Sequence, residues 1–520
     1  MMPEYRSPWT LQQVCLEAVG SNMDFWCKDF ADNFQVMKAF KYFIGPFDNI
    51  SSVVCEVLLE HLIGQRNLKR PYLYLLINPS LVNLNLSGCP HLVKDDIINA
   101  VLTRCKNLKS INLSGCTQVK KEIIVTLAEA YPNLVSLDLS GTKCVKMAAR
   151  AVFKNCTNLK ELFLSHCRIY DDDLSILIDS VNNKGTHKNL RRFDLYYTGV
   201  SCNGLALVVR SLPWVTILKH QDLVKCLSAV YDELIQAGQG GCKPEKDVYE
   251  AEQSSCNTGH KTFNFRSLTI HEHTHTSSRV LSNCFMLCPH LVKVEVLEVY
   301  GYDNKCFYEM GSLSMLQDLK IICNRNCNVD FVGLLQALKK IGSNLKHLAL
   351  ADIEGLNPLK IAQLCPNLIE LYLTCYDSKI SFHGELDEDC PSQKICLPKL
   401  KMLTVGGNGL APRNITQPVL TRFLCACCVV EKLKLVQLSE LTDTVLNDMF
   451  KVNEMPCLTS LDVSCCQNIT SNSLDKLILS QTNKLSSVKI IDCWNITQRD
   501  YSNWLATSKE NNSSLKIDWS

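Results

Sequence analysis

The chain has 520 residues, 29 of them cysteine, with a formal charge of +2 and a mean hydropathy of +0.01. Apolar residues at 46% and charged residues at 20% suffice for a sizeable core and exclude global disorder. Near-zero net charge gives no electrostatic reason to expect nucleic acid or a membrane surface as partner.

Nothing reaches the roughly 18 consecutive apolar residues of a membrane span. The opening MMPEYRSPWTLQQVCLEAVG lacks the basic and apolar regions of a secretory signal. A disulfide scaffold would be short and secreted, so a reduced cytoplasmic and/or nuclear protein is expected, with cysteine used as a small buried apolar residue.

The first predicted element is a helix in TLQQVCLEAV. Leu11, Val14, Cys15, Ala18 and Val19 share one face, and Thr10 sits where an N-cap belongs. Aromatic residues follow at Phe25, Trp26, Phe30, Phe34, Phe40, Tyr42, Phe43 and Phe47. DNISSVVCEVLLEHL predicts a further helix with Ile50, Val53, Val54, Val57, Leu58 and Leu62 facing one way.

From Leu81 the pattern changes. LVNLNLSGCPHLVKDDIINAVLTRCKN is followed by LKSINLSGCTQVKKEIIVTLAEAYPN, LVSLDLSGTKCVKMAARAVFKNCTN and LKELFLSHCRIYDDDLSILIDS. The anchors Leu81, Leu108, Leu134 and Leu159 are 27, 26 and 25 residues apart, and each opens an L-x-x-L-x-L segment before an amphipathic stretch. Weaker copies recur to Leu485-Val488-Ile490 and a closing SLKIDWS, with one faint coil near Leu212 to Ile217, for about fifteen or sixteen coils. The array resembles the leucine-rich repeat in its cysteine-containing subtype, which implies an α/β solenoid. Leucines would point inward from short concave strands. Cys89, Cys116, Cys167, Cys466 and Cys493 would cap the interior at the bends, and Cys105, Cys156, Cys288, Cys365 and Cys457 would end the helices.

Two stretches interrupt the array: a polar, glycine-rich loop at 237–261 and an acidic excursion at 377–399. The domain reading is a helical module over 1–78 and a repeat horseshoe over 79–520.

No phosphate-binding loop, dinucleotide fingerprint, H-E-x-x-H or nucleophile elbow occurs, so neither enzymatic activity nor a cofactor is expected. GQGG at 238–241 is a linker. His271, His273 and His275 alternate along one strand face, suited either to a metal with Cys284 or Cys288 or to polar contacts; the second reading is preferred and no metal is expected. Cys425–Cys428 and the Cys323/Cys327 pair lack the paired spacing of a zinc site.

The non-anchor strand residues should line the concave face. They are small and polar in the first coils (Asn83, Asn85, Ser110, Asn112, Ser136, Asp138). They then change to Glu161, Phe163, Arg192, Asp194, Tyr196, Tyr197, His271, His273, Glu370 and Tyr372. Aromatic and arginine side chains dominate binding energies, so Phe163, Arg192, Tyr196, His271 and Tyr372 are the expected contacts to a protein substrate.

The amino-terminal helix carries a second resemblance. Thr10-Leu11-x-x-x-Cys15-x-x-x-Val19 matches the elongin-binding BC box, [SATP]-L-x-x-x-[CSA]-x-x-x-[AILV]. Leu11 would enter an apolar pocket of elongin C, Cys15 would allow close approach and Val19 would extend the stripe. Pro46-Phe47-x-x-Ile50-x-x-x-Val54 partly resembles the proline-led cullin-2 type of cullin box, with a shifted spacing, and assigns cullin contact to Pro46, Ile50 and Val54.

Together these features resemble VHL-box leucine-rich repeat proteins akin to the Zyg/Zer-type substrate receptors of cullin-RING ubiquitin ligases. The resemblance implies elongin B/C, a cullin and a protein substrate as partners, without nucleic acid or membrane. Those receptors follow their repeats with a helical armadillo-like domain, whereas strand anchors here continue to the C-terminus. An F-box receptor linked to Skp1 remains as an alternative, because GPFDNISSVVCEVLLEHL has the proline and apolar run of an F-box, though not its leading leucine. A plain repeat scaffold, its first helices serving only as an end cap, is the third reading.

Overall fold

In the computed structural model the repeat segments become short strands with buried anchors, flanked in most coils by exposed or half-buried residues. The structure describes residues 10–28, 46–237, 262–270, 277–299, 303–323, 329–375, 382, 395–407, 415–479, 484–510 and 515–520. Two compact units result, one made of Arg6–Val230 and the other containing Tyr231–Ser520.

The first unit begins with helices α1 (Leu11–Ser21), α2 (Met23–Trp26), α3 (Ser52–Gly64) and α4 (Arg70–Leu76). A parallel sheet follows in sequential order: β1 (Asn83–Asn85), β2 (Ser110–Asn112), β3 (Ser136–Asp138), β4 (Glu161–Phe163), β5 (Arg192–Asp194) and β6 (Ile217–Lys219). The faint coil is β6.

The second unit holds a ten-stranded parallel sheet, again in sequential order. It comprises β7 (Ser267–Ile270), β8 (Lys293–Val299), β9 (Asp318–Cys323), β10 (His347–Ala351), β11 (Glu370–Thr374), β12 (Met402–Gly406), β13 (Lys432–Val436), β14 (Ser460–Ser464), β15 (Ser487–Ile491) and β16 (Lys516–Trp519). Each unit is a leucine-rich repeat solenoid.

Parallel strands separated by a helix or a long return stack in order because each coil buries its apolar side only against its neighbours. Leu84, Ile111, Leu137 and Leu162 form one fully buried column, and Leu348, Leu371, Leu403 and Leu433 another.

The cysteines follow the same logic. Cys89, Cys116, Cys167, Cys466 and Cys493 are buried at the bends, and Cys144, outside the repeat spacing, joins them. Cys105, Cys156, Cys288 and Cys365 are buried helix C-caps. Cys457 is a correction: it is only partly buried, and Asn453 takes the C-cap of that coil. Asn453 donates to the Cys427 carbonyl at 2.9 Å and accepts from the Met455 amide at 3.0 Å, so an amide does there by hydrogen bonding what the thiols do by fitting.

Burial pushes the Cys105, Cys156 and Cys365 thiols up to about 12, which leaves them protonated and unreactive. All described cysteines are free thiols.

Polar links tie one coil to the next. Asp95, Asp171 and Asp443, each the first residue of its helix, accept the backbone N–H of the following coil's N-cap residue. Those donors are Lys120 at 2.9 Å, Ser201 at 2.8 Å and Thr470 at 2.8 Å. Satisfying a donor that no helix turn can reach adds about 1 kcal/mol each.

Within the second excursion, Phe382 and Leu397 are buried, so part of it belongs to the core. His271, His273 and His275, residues 238–261, and Phe30, Phe34, Phe40, Tyr42 and Phe43 lie outside the described residues. Among the described residues no helix is long and apolar enough to cross a membrane, and no group of three or more His, Cys, Asp or Glu is placed to hold a metal ion.

Candidate adaptor helix and concave binding face

The open edge of β1 presents backbone donors that a solenoid must satisfy. Helix α3 does so with two side chains. Ser52 Oγ accepts the Val82 amide at 2.9 Å, and Glu56 Oε1 accepts the Asn83 amide at 3.1 Å. Cys55, Leu58, Leu59 and Leu62 form the buried face of this helix.

That face corrects the one read from the sequence. Val53 and Val54 are 67% and 48% exposed, and the inward stripe includes Cys55 and Leu59 instead. The helix is apolar on nearly every side, so several stripes satisfy its periodicity and only the β1 edge selects one.

Helix α4 has no signature in the sequence. Tyr72 to Ile77 are all buried, and a short run buried on every side has no amphipathic period to detect. Asn78, fully buried just after it, ties the module together. It donates to the Phe47 carbonyl at 3.0 Å and to Cys55 Sγ at 2.9 Å, and accepts from the Ser80 hydroxyl at 2.7 Å. Arg104 from the first coil reaches back to the Tyr74 carbonyl at 3.1 Å and Asp48 at 2.5 Å.

Helix α1 is built as its sequence suggests. Thr10 is the N-cap, accepting the Gln13 amide while Gln13 accepts the Thr10 amide, a reciprocal capping box. Its C-terminal half packs onto the module. Glu17 lies 3.3 Å from His61 of α3, and Gly20 is buried so closely that an added Cβ would stand 3.3 Å from the His61 ring. Met23 and Cys27 are buried beyond it. Asp24 is held below the usual carboxylate range by the Tyr72 hydroxyl and the Lys69 ammonium.

The other face is left open. Leu11 is 79% exposed and Val14 47%, Cys15 and Ala18 are exposed, and Val19 is half-buried. A leucine left in water forgoes about 1.5–3 kcal/mol relative to burial. Phe25 and Trp26 are also exposed just beyond α1, in edge-to-face contact at 5.5 Å. Of the residues read as cullin contacts, Pro46 and Val54 are exposed and Ile50 is half-buried, its carbonyl accepting the Ser80 hydroxyl at 2.8 Å.

In the first sheet Phe163 and Arg192 of neighbouring strands meet, while Tyr196 belongs to a separate ring cluster in the turn after β5. The Arg192 guanidinium lies 5.6 Å from the Phe163 ring centroid and 3.1 Å from Glu161. Tyr196 meets Tyr197 at 4.4 Å, and Tyr197 stacks on His166 at 4.9 Å.

After β2, β3, β4 and β5 the turn carries a left-handed residue. Gly115 and Gly141 supply it in two coils, with φ of 76° and 65°, but His166 and Tyr197 occupy it next with φ of 57° and 52°. Such a conformation costs a non-glycine residue about 1–2 kcal/mol, so these rings are kept against local strain. Burial and the Tyr197 hydroxyl push the Tyr196 phenol up to about 12. Asp194, read as a concave contact, is buried instead, accepting from the Ser165 hydroxyl at 2.6 Å and the Tyr196 amide at 2.9 Å. Tyr372 lies in the other unit, its hydroxyl 2.7 Å from Met402 Sδ.

Known proteins resemble this chain in part. The chain is 27% identical over 147 residues to F-box/LRR-repeat protein 4 of Bos taurus, a match covering 28% of this chain and 22% of that protein. It is 25% identical over 132 residues to the DNA repair protein RAD7 of Saccharomyces cerevisiae, covering 25% and 23%. The chain thus spans under a quarter of the length of these two relatives. A chain from the crystal structure of the yeast Rad7 and Elc1 complex aligns over 95% of this chain and 96% of its own, with 16% identity and a TM-score of 0.42. No family model matches.

Proposed function

We propose that the protein is a substrate-recognition subunit of an elongin B/C–cullin-RING ubiquitin ligase. The observation that carries this reading is α1: a capped helix, held on one side by Glu17 and Gly20, with Leu11, Val14 and Cys15 turned to solvent on the other. A helix needed only to close the solenoid would bury its apolar stripe, and α3 already closes it. The exposed stripe has the i, i+3, i+4 geometry of a helix that docks in an apolar groove. It carries the residue types of the BC box, with Thr10 capping, Leu11 as anchor, Cys15 small at the contact and Val19 one turn further.

In this role residues 1–78 serve as the adaptor module, with Pro46, Ile50 and Val54 toward a cullin of the cullin-2 type. The repeat face around Phe163, Arg192 and Tyr196 captures a protein substrate. The chain performs no bond chemistry; it raises the effective concentration of substrate beside a ubiquitin-charged enzyme.

The names of the F-box/LRR-repeat relatives favour a second reading, in which the exposed start of α3 meets Skp1. Co-purification decides between them. Wild type retains elongin B/C, and Leu11→Glu with Cys15→Asp loses it without losing fold, since both side chains are exposed. Retention of Skp1 in place of elongin overturns the proposal in favour of the F-box reading, and retention of neither leaves the scaffold reading standing.

A further inference from the structure

The second unit carries a site that the adaptor reading does not use. Along β9 to β13 the register aligns Lys320, Ala349, Tyr372, Thr404 and Lys434 as successive rungs of one row. A cavity of about 460 Å³ opens over this row, and among the described residues Lys320 and Lys434 are its only charged lining residues.

Its depth has a sequence cause. Ala349 and Thr404 are short where their neighbours are long. At one edge Gly406 and Gly407 cannot carry side chains: a Cβ on Gly406 would fall 2.0 Å from the Val436 carbonyl oxygen, and one on Gly407 1.9 Å from that of Cys375.

The carboxylates nearby are engaged. Glu295 sits 3.0 Å from Lys293 and accepts the Thr269 hydroxyl at 3.0 Å, Asp318 pairs with His347, and Glu370 lies 3.3 Å from the Tyr372 hydroxyl. Lys434 has Asp462 at 3.4 Å, and Lys320 has Glu295 as its register partner on β8, although among the described residues no carboxylate is within ion-pair distance of Lys320.

We infer that this groove binds an extended acidic peptide, with Lys320 and Lys434 as its two anion anchors and Ala349, Tyr372 and Thr404 as its floor. Four strand spacings separate the lysines, about 19 Å, which is too far for one phosphate and matches about six residues of extended chain. The flanking carboxylates disfavour a uniformly charged polyanion such as single-stranded nucleic acid, whereas a peptide carries its charge at separated positions. The inference names the chemistry of the captured chain and rests on the ligase reading only for what capture achieves.

The test is fluorescence anisotropy on the purified full chain. The probes are fluorescein-labelled peptides with two glutamates about six residues apart in a Gly-Ser-Leu background, beside otherwise identical glutamine and lysine versions. The glutamate peptide binds best. Lys320→Glu with Lys434→Glu weakens it at least about tenfold and shifts preference to the lysine peptide. Asp462→Asn, which frees Lys434, tightens binding, a gain that misfolding cannot produce. Lys451→Glu, on the helix Asp443–Val452 away from the groove, changes nothing.

No binding of the glutamate peptide, equal binding of the glutamine version, or tighter binding of a fluorescein-labelled oligothymidylate overturns the inference. Elongin co-purification of the same variants is unaffected by the lysine changes, so loss of elongin binding and loss of peptide binding are read separately.

Discussion

Helices α1 and α3 are built from similar residues and meet opposite fates. Helix α3 buries Cys55, Leu58, Leu59 and Leu62 and lends Ser52 and Glu56 to the bare edge of β1. Helix α1 buries only Gly20 and leaves Leu11 and Val14 in water. Apolar periodicity therefore identifies a helix that needs a partner without saying whether the partner lies in the same chain. The end-cap reading fits α3, and the adaptor role proposed above concerns α1 alone.

The comparison breaks most visibly at α3. Leu62→Ala should lower the stability of the Arg6–Val230 unit by about 2–5 kcal/mol, read by denaturant unfolding, because a fully buried leucine leaves a cavity. A loss below about 0.5 kcal/mol would mean that α3 is no more structural than α1.

Alkaline pH separates the buried repeat cysteines from the exposed Cys15 of α1 next. The Cys105, Cys156 and Cys365 thiols are raised from 9.0 to about 12 in the fold, so the native state holds their protons more tightly than the unfolded chain does. Their contribution is complete below pH 9 and is lost as pH rises from 9 toward 12. Stability should fall across that window, and alkylation with iodoacetamide at neutral pH should label exposed Cys15 while sparing the buried C-cap thiols. Uniform labelling would remove the distinction between packing and contact cysteines.

The smallest effect on stability belongs to α1. Thr10→Ala removes the capping box and costs that helix about 0.5–2 kcal/mol. Global unfolding should stay unchanged, while adaptor affinity falls by up to about tenfold because a frayed helix must be ordered on binding.

Much of this is legible in the sequence, and what is not has physical reasons. The leucine anchors, the bend cysteines and the Thr10 cap each follow from a local pattern that the fold only repeats. The inward face of α3 is not readable there because Ile50, Val53, Val54, Cys55, Val57, Leu58, Leu59 and Leu62 fit more than one stripe, and the choice depends on Val82 and Asn83 some thirty residues later. Asp194 looks like a contact residue on an alternating strand, yet Ser165 from the preceding coil and the Tyr196 amide enclose it. The groove between Lys320 and Lys434 is invisible in the sequence because its residues are spread over five coils and adjoin only through strand register.

The most direct test is amide hydrogen exchange of Leu11–Ser21 and Ser52–Gly64 in the whole chain, alone and saturated with elongin B/C. Exchange in α1 should slow strongly on adding the adaptor, while α3, protected by its own chain, exchanges at one slow rate in both states. Unchanged exchange in α1 at saturation would contradict the assignment of that helix to an adaptor.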